Sequence, residues 1–378
     1  MYLTFFKNKI EQNTIPINYN YTFDDLFDNK PFNSETEIEF TSTFRTNFET
    51  ITVITNTRPS SFNSRILDNI KETLINLTIK YYGHNMSDYY KKFFIPKKSS
   101  NELREINAPV DTLMADLKLM QSYFQYHLNV LYHNSAYAYV PHRNIKQALE
   151  QHTKNNSHWY LKLDIKHFFP SCNLEFVVKQ LKKIYPFEYY SEDDLKAFLW
   201  ICFLNDELPQ GTPMSPMLTN LIMIPIDYAL NKYAKEHKLV YTRYADDILI
   251  SGYEKWDWRK TVQDINNILE SEETPFILKT EKTRFGSSAG RNWNLGLMVN
   301  KDNNITVGYR NKKKYKATIE TLLYVITTTN NVDKDDLYNF QGITSYYTSI
   351  EPEYFKNLIK KYERKYNITL KEIYKRFL

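Results

Sequence analysis

Residues 240–251 read VYTRYADDILIS, two short runs of β-branched and aromatic residues separated by Ala-Asp-Asp. Such runs on either side of a short polar break predict a tight hairpin with Asp246 and Asp247 at its tip. Adjacent carboxylates repel each other, so a fold that keeps them together usually supplies a cation. Carboxylate oxygens favour Mg²⁺ or Mn²⁺. For YADD alone, a solvated Asp-Asp turn is an equally good interpretation.

The composition of the chain limits which classes of protein it can belong to. The 378 residues are 42% hydrophobic and 16% aromatic, enough to bury a sizeable core in more than one compact unit. A net charge of +5 permits a polyanionic partner without demanding one. Cys172 and Cys202 have neither metal-ligand spacing nor a secreted disulfide pattern, so we expect a reducing cytoplasm. No apolar run of eighteen residues occurs, and we expect no membrane association.

A third carboxylate lies far from the first two along the chain. Residues 159–165 have the composition of a buried strand, and Asp164 stands near its end. An aspartate in that place is a poor core residue and a good ligand. We therefore expect this strand to neighbour the hairpin in one sheet, which would bring the three carboxylates together.

Two loops carry candidate binding residues. Residues 93–128 run from a basic loop into a strand and then a long helix after Pro109, which Asp111 is predicted to cap. The cations of this stretch would hold a triphosphate or a nucleic-acid backbone, or else form a solvated basic hairpin: Lys97, Lys98 and Arg104. The loop LPQGTPMSP, 208–216, is either a helix-entry loop or a surface for a base pair, approached through Gln210 and Gly211.

Taken in order, LKLDIKHFFPS, LPQGTPMSP and YADD resemble reverse transcriptases of the bacterial, non-retroviral kind, which include retron, group II intron and antiphage-defence enzymes. The resemblance spans roughly residues 93–298. It implies an α+β right-hand polymerase with fingers, a palm of mixed sheet plus helices, and a helical thumb. The expected divisions are an N-terminal extension of unassigned role at 1–90, fingers and palm at 91–300, and the thumb at 301–378.

The resemblance also implies catalytic roles. Asp164, Asp246 and Asp247 become ligands of two divalent ions, Mg²⁺ or Mn²⁺, with the carbonyl of Ile165 as a further ligand. Phe169 matches the aromatic residue that lies under the incoming sugar, although ordinary core packing would also explain it.

Other matched positions concern the nucleotide. Gln210 and Gly211 match the loop beside the nascent pair, and Arg104 matches the fingers residue that contacts the triphosphate. Lys282 is a candidate for assisting the departure of pyrophosphate, and a surface lysine is the alternative.

The C-terminal region begins with a cluster of cations that a thumb would lay along nucleic acid: Arg310, Lys312, Lys313, Lys314 and Lys316. A solvated charge run is the usual interpretation of such a cluster. Helices are predicted after it at 318–328, 334–348 and 353–366.

The resemblance therefore implies an RNA-directed DNA polymerase that uses deoxynucleoside triphosphates to copy a dedicated noncoding RNA into DNA in antiphage defence, as a retron-like enzyme or one of the antiphage-defence or abortive-infection groups. An effector protein is a candidate partner. The alternatives are template-independent or protein-primed DNA synthesis in an abortive-infection system, and an inactive polymerase-like RNA-binding scaffold.

Overall fold

A computed structural model describes residues 40–45, 50–55, 64–96, 103–127, 132–288 and 293–378. The chain divides into two units, Met1–Thr41 with Ile54–Ser60, and Ser42–Val53 with Ser61–Leu378. The first unit lies almost entirely outside the described residues, and the site described below belongs to the second. Strands β1 (Phe40–Arg45) and β2 (Thr50–Thr55) form a two-stranded sheet.

A four-stranded sheet stands at the centre of the second unit. It contains β5 (Trp159–Asp164), β6 (Val240–Tyr244), β7 (Asp247–Gly252) and β8 (Arg284–Ser287) in the order β6-β7-β5-β8. These strands pair antiparallel, and a parallel bridge from Ala136 to Arg243 continues the sheet beyond β6. The predicted YADD hairpin is therefore the β6-β7 pair, and the strand with Asp164 lies beside it as expected.

Helices cover this sheet because their apolar faces need burial. The longest, α6 (Met214–Glu236), is buried along most of its length. The other helices before β8 pack on the sheet or on one another: α1 (Ser64–Ile79), α2 (Asp111–Ser122), α3 (Ile145–Lys154), α4 (Leu174–Leu181), α5 (Glu192–Leu199) and α7 (Trp258–Ser271). Leu161, Leu163 and Ile250 of the sheet share one hydrophobic core with α6 residues such as Leu221.

A hairpin of β3 (Tyr90–Pro96) and β4 (Leu103–Pro109) precedes α2, with Ile95 opposite Arg104. The predicted cap of α2 is wrong: Val110 occupies the N-cap position and makes no side-chain hydrogen bond to the helix. Asp111 is instead the first helical residue, where its negative charge favours the helix dipole without accepting from the helix backbone.

The C-terminal region is helical after a small sheet of β9 (Trp293–Asn294), β10 (Leu297–Val299) and β11 (Ile305–Thr306). Its helices are α8 (Tyr309–Thr329), α9 (Lys334–Ile350), α10 (Pro352–Tyr366) and α11 (Leu370–Phe377). Helix α8 begins nine residues before the predicted start (318 minus 309), because buried Tyr315 extends the apolar period of Ile319 and Leu323 backwards. The cluster of cations at 310–316 therefore lies within helix α8.

Between α7 and β8, an isolated antiparallel bridge joins Leu278 to Ile165. Among the described residues, no helix is long and apolar enough to cross a membrane.

Candidate active site

The pairing of β5 with β7 brings the three aspartates to one end of the sheet. Asp164 is the antiparallel partner of Asp247, and residues directly opposite each other in such a pair project from the same face. The N–H of Ile165 donates to the carbonyl of Asp246 at 2.9 Å, which ties the turn to the end of β5. Backbone hydrogen bonds alone therefore determine the proximity of the carboxylate-bearing residues.

The turn itself is two residues long, Ala245 and Asp246, between the paired residues Tyr244 and Asp247. Ala245 has a φ of +56°, in the left-handed region that a side chain with a Cβ rarely occupies. A residue keeps such a conformation when its surroundings determine it, and strained backbone of this kind is frequent at active sites.

Lysine ammonium groups accompany the carboxylates. Lys282 Nζ donates to Asp164 Oδ2 at 2.7 Å, and Lys279 Nζ lies 2.6 Å from Asp164 Oδ1, an ion pair without hydrogen-bond geometry. Lys162 Nζ lies 3.0 Å from Asp247 Oδ1. Within the described ranges, no three acidic, histidine or cysteine side chains converge on a single point suited to a metal. The backbone thus collects the aspartates, while lysines hold two of their side chains.

Lys162 and Lys279 were missed by the sequence reasoning. A signal for Lys162 was present, since it stands two residues before Asp164 and therefore faces the same side of the strand. The sequence contains no such signal for Lys279. Its contact with Asp164 depends on how the segment after α7 crosses the end of β5, where the Lys279 N–H donates to the Asp164 carbonyl at 2.8 Å.

The electrostatics of the site follow from burial and like charge. Burial raises the pKa of Asp246, and the carboxylates of Asp247 and Asp164 raise it further. The hydrogen bond to Asp164 raises the pKa of Lys282, so its ammonium stays protonated at neutral pH. This is a site with excess negative charge at its centre and cations around it.

These residues suit a hard divalent cation. Their donors are carboxylate oxygens, the kind that Mg²⁺ and Mn²⁺ prefer. Asp164 Oδ1 is buried and already pairs with a cation, the Lys279 ammonium, whose place a divalent ion would take. The repulsion that raises the pKa of Asp246 is also relieved by a bound cation.

Aromatic rings flank the carboxylates. Phe168 is buried, whereas Phe169 is half-buried and its ring centroid lies 6.4 Å from that of Tyr139. Tyr139 is 57% exposed, and its φ of +57° is also left-handed. Burial raises the pKa of the Tyr139 hydroxyl, and the nearby carboxylate of Asp246 raises it further, while Arg104 acts in the opposite direction. Phe169 thus lies in an open aromatic corner beside the acidic residues, and its neighbour Phe168 belongs to the core.

The loop with Gln210 and Gly211 lies against β4. The Gln210 carbonyl accepts a hydrogen bond of 2.8 Å from the Asn107 N–H. Gly211 has a φ of +119°, and a Cβ there would lie 3.0 Å from the Asn107 carbonyl oxygen. Glycine is required for this approach. Arg104 is exposed on the same strand as Asn107. The hydrogen bond of Asn107 therefore holds the strand that carries Arg104 against the loop with Gln210 and Gly211.

The predicted nucleic-acid contacts divide into distinct groups. Lys312 Nζ pairs with Glu351 Oε1 at 2.5 Å and lies 4.3 Å from the centre of the Tyr354 ring, so it ties α8 to the start of α10. The other cations of the cluster are exposed on α8: Arg310, Lys313, Lys314 and Lys316. Lys97 and Lys98 lie outside the described residues.

Comparison with known proteins gives a consistent family. The family model described as reverse transcriptase (RNA-dependent DNA polymerase) matches residues 95–316. The retron Ec73 reverse transcriptase of Escherichia coli is 29% identical over 284 residues, 72% of this chain and 86% of that protein. The retron Ec83 and Ec86 reverse transcriptases of the same species are 27% and 24% identical, cover 72% and 79% of this chain, and are themselves covered to 87% and 89%.

Among solved structures, telomerase of Candida tropicalis has a TM-score of 0.42 and 14% identity, with 79% of this chain and 59% of that chain covered. A likeness at that level carries no argument about function. The family match, together with the helices and sheets described above, confirms the expected α+β right-hand polymerase fold.

Proposed function

Because the chain belongs to the reverse transcriptase (RNA-dependent DNA polymerase) family, and is therefore an RNA-directed DNA polymerase, we propose that Asp164, Asp246 and Asp247 form its catalytic centre. The observation that supports this proposal most directly is the β5-β7 register, which sets Asp164 opposite Asp247 with Asp246 in the adjoining turn. Enzymes of this family depend on divalent metal ions.

In this proposal the three carboxylates and the Ile165 carbonyl hold two ions, Mg²⁺ or Mn²⁺. Ions held by these residues would supply activation of the attacking 3′-hydroxyl and neutralisation of the charge on the leaving pyrophosphate. Asp164 is suited to this role because its buried Oδ1 already has a cationic partner in Lys279, which a metal ion would displace. Lys279 and Lys282 balance the carboxylate charge near Asp164 when no ion is there.

The remaining residues orient the nucleotide. Arg104 binds the triphosphate, and the half-buried ring of Phe169 lies under the sugar and excludes a 2′-hydroxyl by size. Gln210, fixed to β4 through its carbonyl, lies beside the nascent base pair. Lys282 holds a proton on Nζ, which is available to the leaving pyrophosphate once the ammonium separates from Asp164.

Residues 301–378 form the thumb in this proposal, residues 91–300 the fingers and palm, and residues 1–90 an N-terminal extension. The exposed cations of α8 would bind the phosphate backbone of the template or its copy: Arg310, Lys313, Lys314 and Lys316. Lys97 and Lys98 are proposed to contact the template or the triphosphate as well.

The biological template is proposed to be a dedicated noncoding RNA, copied in antiphage defence and in company with an effector protein. The similarity to retron reverse transcriptases over 86–89% of their length supports this proposal. Deoxynucleoside triphosphates are the substrates, and an RNA template and a DNA product are the nucleic acids bound.

The test uses purified full-length protein with a primed RNA template, deoxynucleoside triphosphates and Mg²⁺. We expect complementary DNA from the wild type and none from Asp246→Ala, with Asp302→Asn, an exposed carboxylate on the turn between β10 and β11, as the matched control. Sequencing of nucleic acid that co-purifies from the native host should give one discrete RNA. DNA synthesis that survives in Asp246→Ala would overturn the catalytic assignment. Homopolymer DNA, or DNA that stays attached to protein after RNase treatment, would favour untemplated or protein-primed synthesis.

A further inference from the structure

A fully buried ion pair lies directly behind the YADD turn. Arg243 of β6 and Asp227 of α6 are both inaccessible to solvent. Arg243 Nε donates to Asp227 Oδ1 at 2.8 Å and Nη2 donates to Asp227 Oδ2 at 2.7 Å, while the Tyr241 hydroxyl donates to Oδ1 at 2.6 Å. This two-pronged contact fixes the plane of the guanidinium relative to helix α6.

The third nitrogen of the same guanidinium reaches the turn. Arg243 Nη1 donates to the carbonyl of Ala245 at 3.2 Å and to Asn220 Oδ1 at 3.1 Å. Ala245 is the left-handed residue next to Asp246. The guanidinium therefore connects the conformation of the carboxylate-bearing turn to a buried helix.

Asn220 extends the connection to the aromatic corner. Its Nδ2 donates to the carbonyl of Ala138 at 2.8 Å, directly before Tyr139, the other left-handed residue beside the site. The backbone of Arg243 joins the same segment, since its N–H donates to Ser135 and its carbonyl accepts from Tyr137. One buried side chain thus contacts, directly or through Asn220, the backbone beside both strained residues.

Stability alone is a poor explanation for this arrangement. A buried ion pair must repay the desolvation of both charges, and apolar replacements of similar volume are often no less stable. The planar guanidinium, however, makes four hydrogen bonds in fixed directions, to both oxygens of Asp227, to Asn220 Oδ1 and to the Ala245 carbonyl, whereas a lysine ammonium has only three N–H donors on one atom.

We propose that Arg243 is a positioning residue, which holds the Ala245 carbonyl and so sets the place of Asp246 and Asp247 in the metal-binding turn. The inference rests on the proposed function, because it assigns Arg243 a task only if those carboxylates bind metal. Arg243 itself contacts neither substrate nor metal in this assignment.

The test compares three full-length variants with the wild type. Arg243→Lys keeps a cation beside Asp227 but loses the planar set of donors. The double variant Asp227→Met with Arg243→Met removes both charges and fills the space with apolar atoms. Lys183→Met is the matched control, since it removes the half-buried partner of the buried carboxylate Glu272, an ion pair that includes none of the three aspartates. Each protein is measured for thermal stability, for Mn²⁺ binding by electron paramagnetic resonance, and for kcat and KM.

We expect both Arg243 variants to fold, to bind Mn²⁺ about tenfold more weakly, and to lose about 100-fold in kcat with little change in the KM for nucleotide, because a small misplacement of reacting groups has effects of that order. The Lys183→Met control should keep Mn²⁺ binding and kcat. Folded Arg243 variants with wild-type Mn²⁺ affinity and kcat would overturn the proposal. Failure of both variants to fold would also overturn it, since Arg243 would then serve the whole fold.

The two proposals fail in different ways. If the wild type binds Mn²⁺ no better than Asp246→Ala does, the proposed catalytic centre fails. If the wild type and Asp246→Ala differ as expected while the Arg243 variants match the wild type, the positioning role alone fails.

Discussion

Asp164 and Asp247 face each other across strands β5 and β7. Both oxygens of Asp164 carry a lysine, Lys279 on Oδ1 and Lys282 on Oδ2, and Asp247 Oδ1 carries Lys162. The sheet register places the two carboxylates together, and their mutual repulsion makes a cation favourable at that place. A divalent ion must therefore compete with ammonium groups for the same oxygens.

This competition predicts the effect of Lys279→Met. Removal of the ammonium 2.6 Å from Asp164 Oδ1 should tighten Mn²⁺ binding severalfold, because the ion no longer displaces a charge partner. Equilibrium titration of Mn²⁺ measures the change. Lys255→Met, on an exposed cation that lies over Trp159, is the control and should have no effect. Weaker binding in Lys279→Met would show that this lysine assists the ion instead.

Replacement of Phe169 should change the choice of sugar. Phe169→Ala opens the half-buried corner beside Tyr139, so we expect discrimination against ribonucleotides to fall by roughly 10- to 100-fold. The ratio of kcat/KM for paired deoxy- and ribonucleoside triphosphates measures this. Phe168→Leu, in the core one residue earlier, should lower thermal stability and leave the ratio unchanged. Equal ratios for Phe169→Ala and the wild type would remove Phe169 from the sugar contact.

Gly211→Ala should destabilise the fold, because the new Cβ would meet the backbone of Asn107 at 3.0 Å and the φ of +119° disfavours any side chain. We expect a loss of about 1–3 kcal/mol in the free energy of unfolding, measured by urea denaturation. Gly342→Ala is the contrast: this glycine lies within α9 with no atom near the added methyl, so stability should rise by about 0.4–1 kcal/mol. Loss of stability in both variants would contradict this account.

Acid should unfold the protein partly through two buried histidines. Burial lowers the pKa of His152 to about 3 and that of His133 to about 4. In the unfolded chain both bind a proton near pH 6.5. Their contribution to stability is therefore complete above that pH and is lost as the pH falls towards 4 and 3, by about 1.4 kcal/mol per pH unit for each histidine.

His152→Gln tests this linkage. The variant removes a ring that hydrogen-bonds with Ser251 at 2.5 Å and Thr242 at 2.8 Å, so it should be less stable at pH 7. Its free energy of unfolding should then depend less steeply on pH below 6.5, by one proton. His142→Gln, at an exposed site, should keep the wild-type slope. An unchanged slope in His152→Gln would assign the acid response to other groups.

The basic cluster of α8 should separate into binding and structural cations. Replacing Lys313 and Lys314 with Gln should weaken RNA binding and reduce the slope of log K against log salt by roughly 0.7–0.9 for each phosphate that a lysine no longer neutralises. Lys312→Gln should mainly lower thermal stability, because its ammonium already pairs with Glu351. Binding titrations at several salt concentrations distinguish these outcomes, and the same slope in all variants would leave the cluster a solvated face.

Local pattern was enough to predict the YADD hairpin, the strand that ends at Asp164, the helix after Pro109, three C-terminal helices and the three carboxylates of the candidate site. Alternation of apolar residues and the short break at Ala-Asp-Asp involve only neighbouring positions, so they can be recognised from the sequence alone. The resemblance to reverse transcriptases came from three such local motifs in order.

Contacts between distant segments could not be predicted from local sequence patterns. The ion pair of Lys279 with Asp164, the approach of Gly211 to Asn107, and the contact of Arg243 with Asp227 each join elements whose relative placement depends on the packing of whole helices against the sheet. Even the early start of α8 follows from the burial of Tyr315, a tertiary effect that overrides the polar character of the basic run. The residue types of the candidate site are thus set by local sequence, and the charges and backbone contacts around them by the packing of the folded chain.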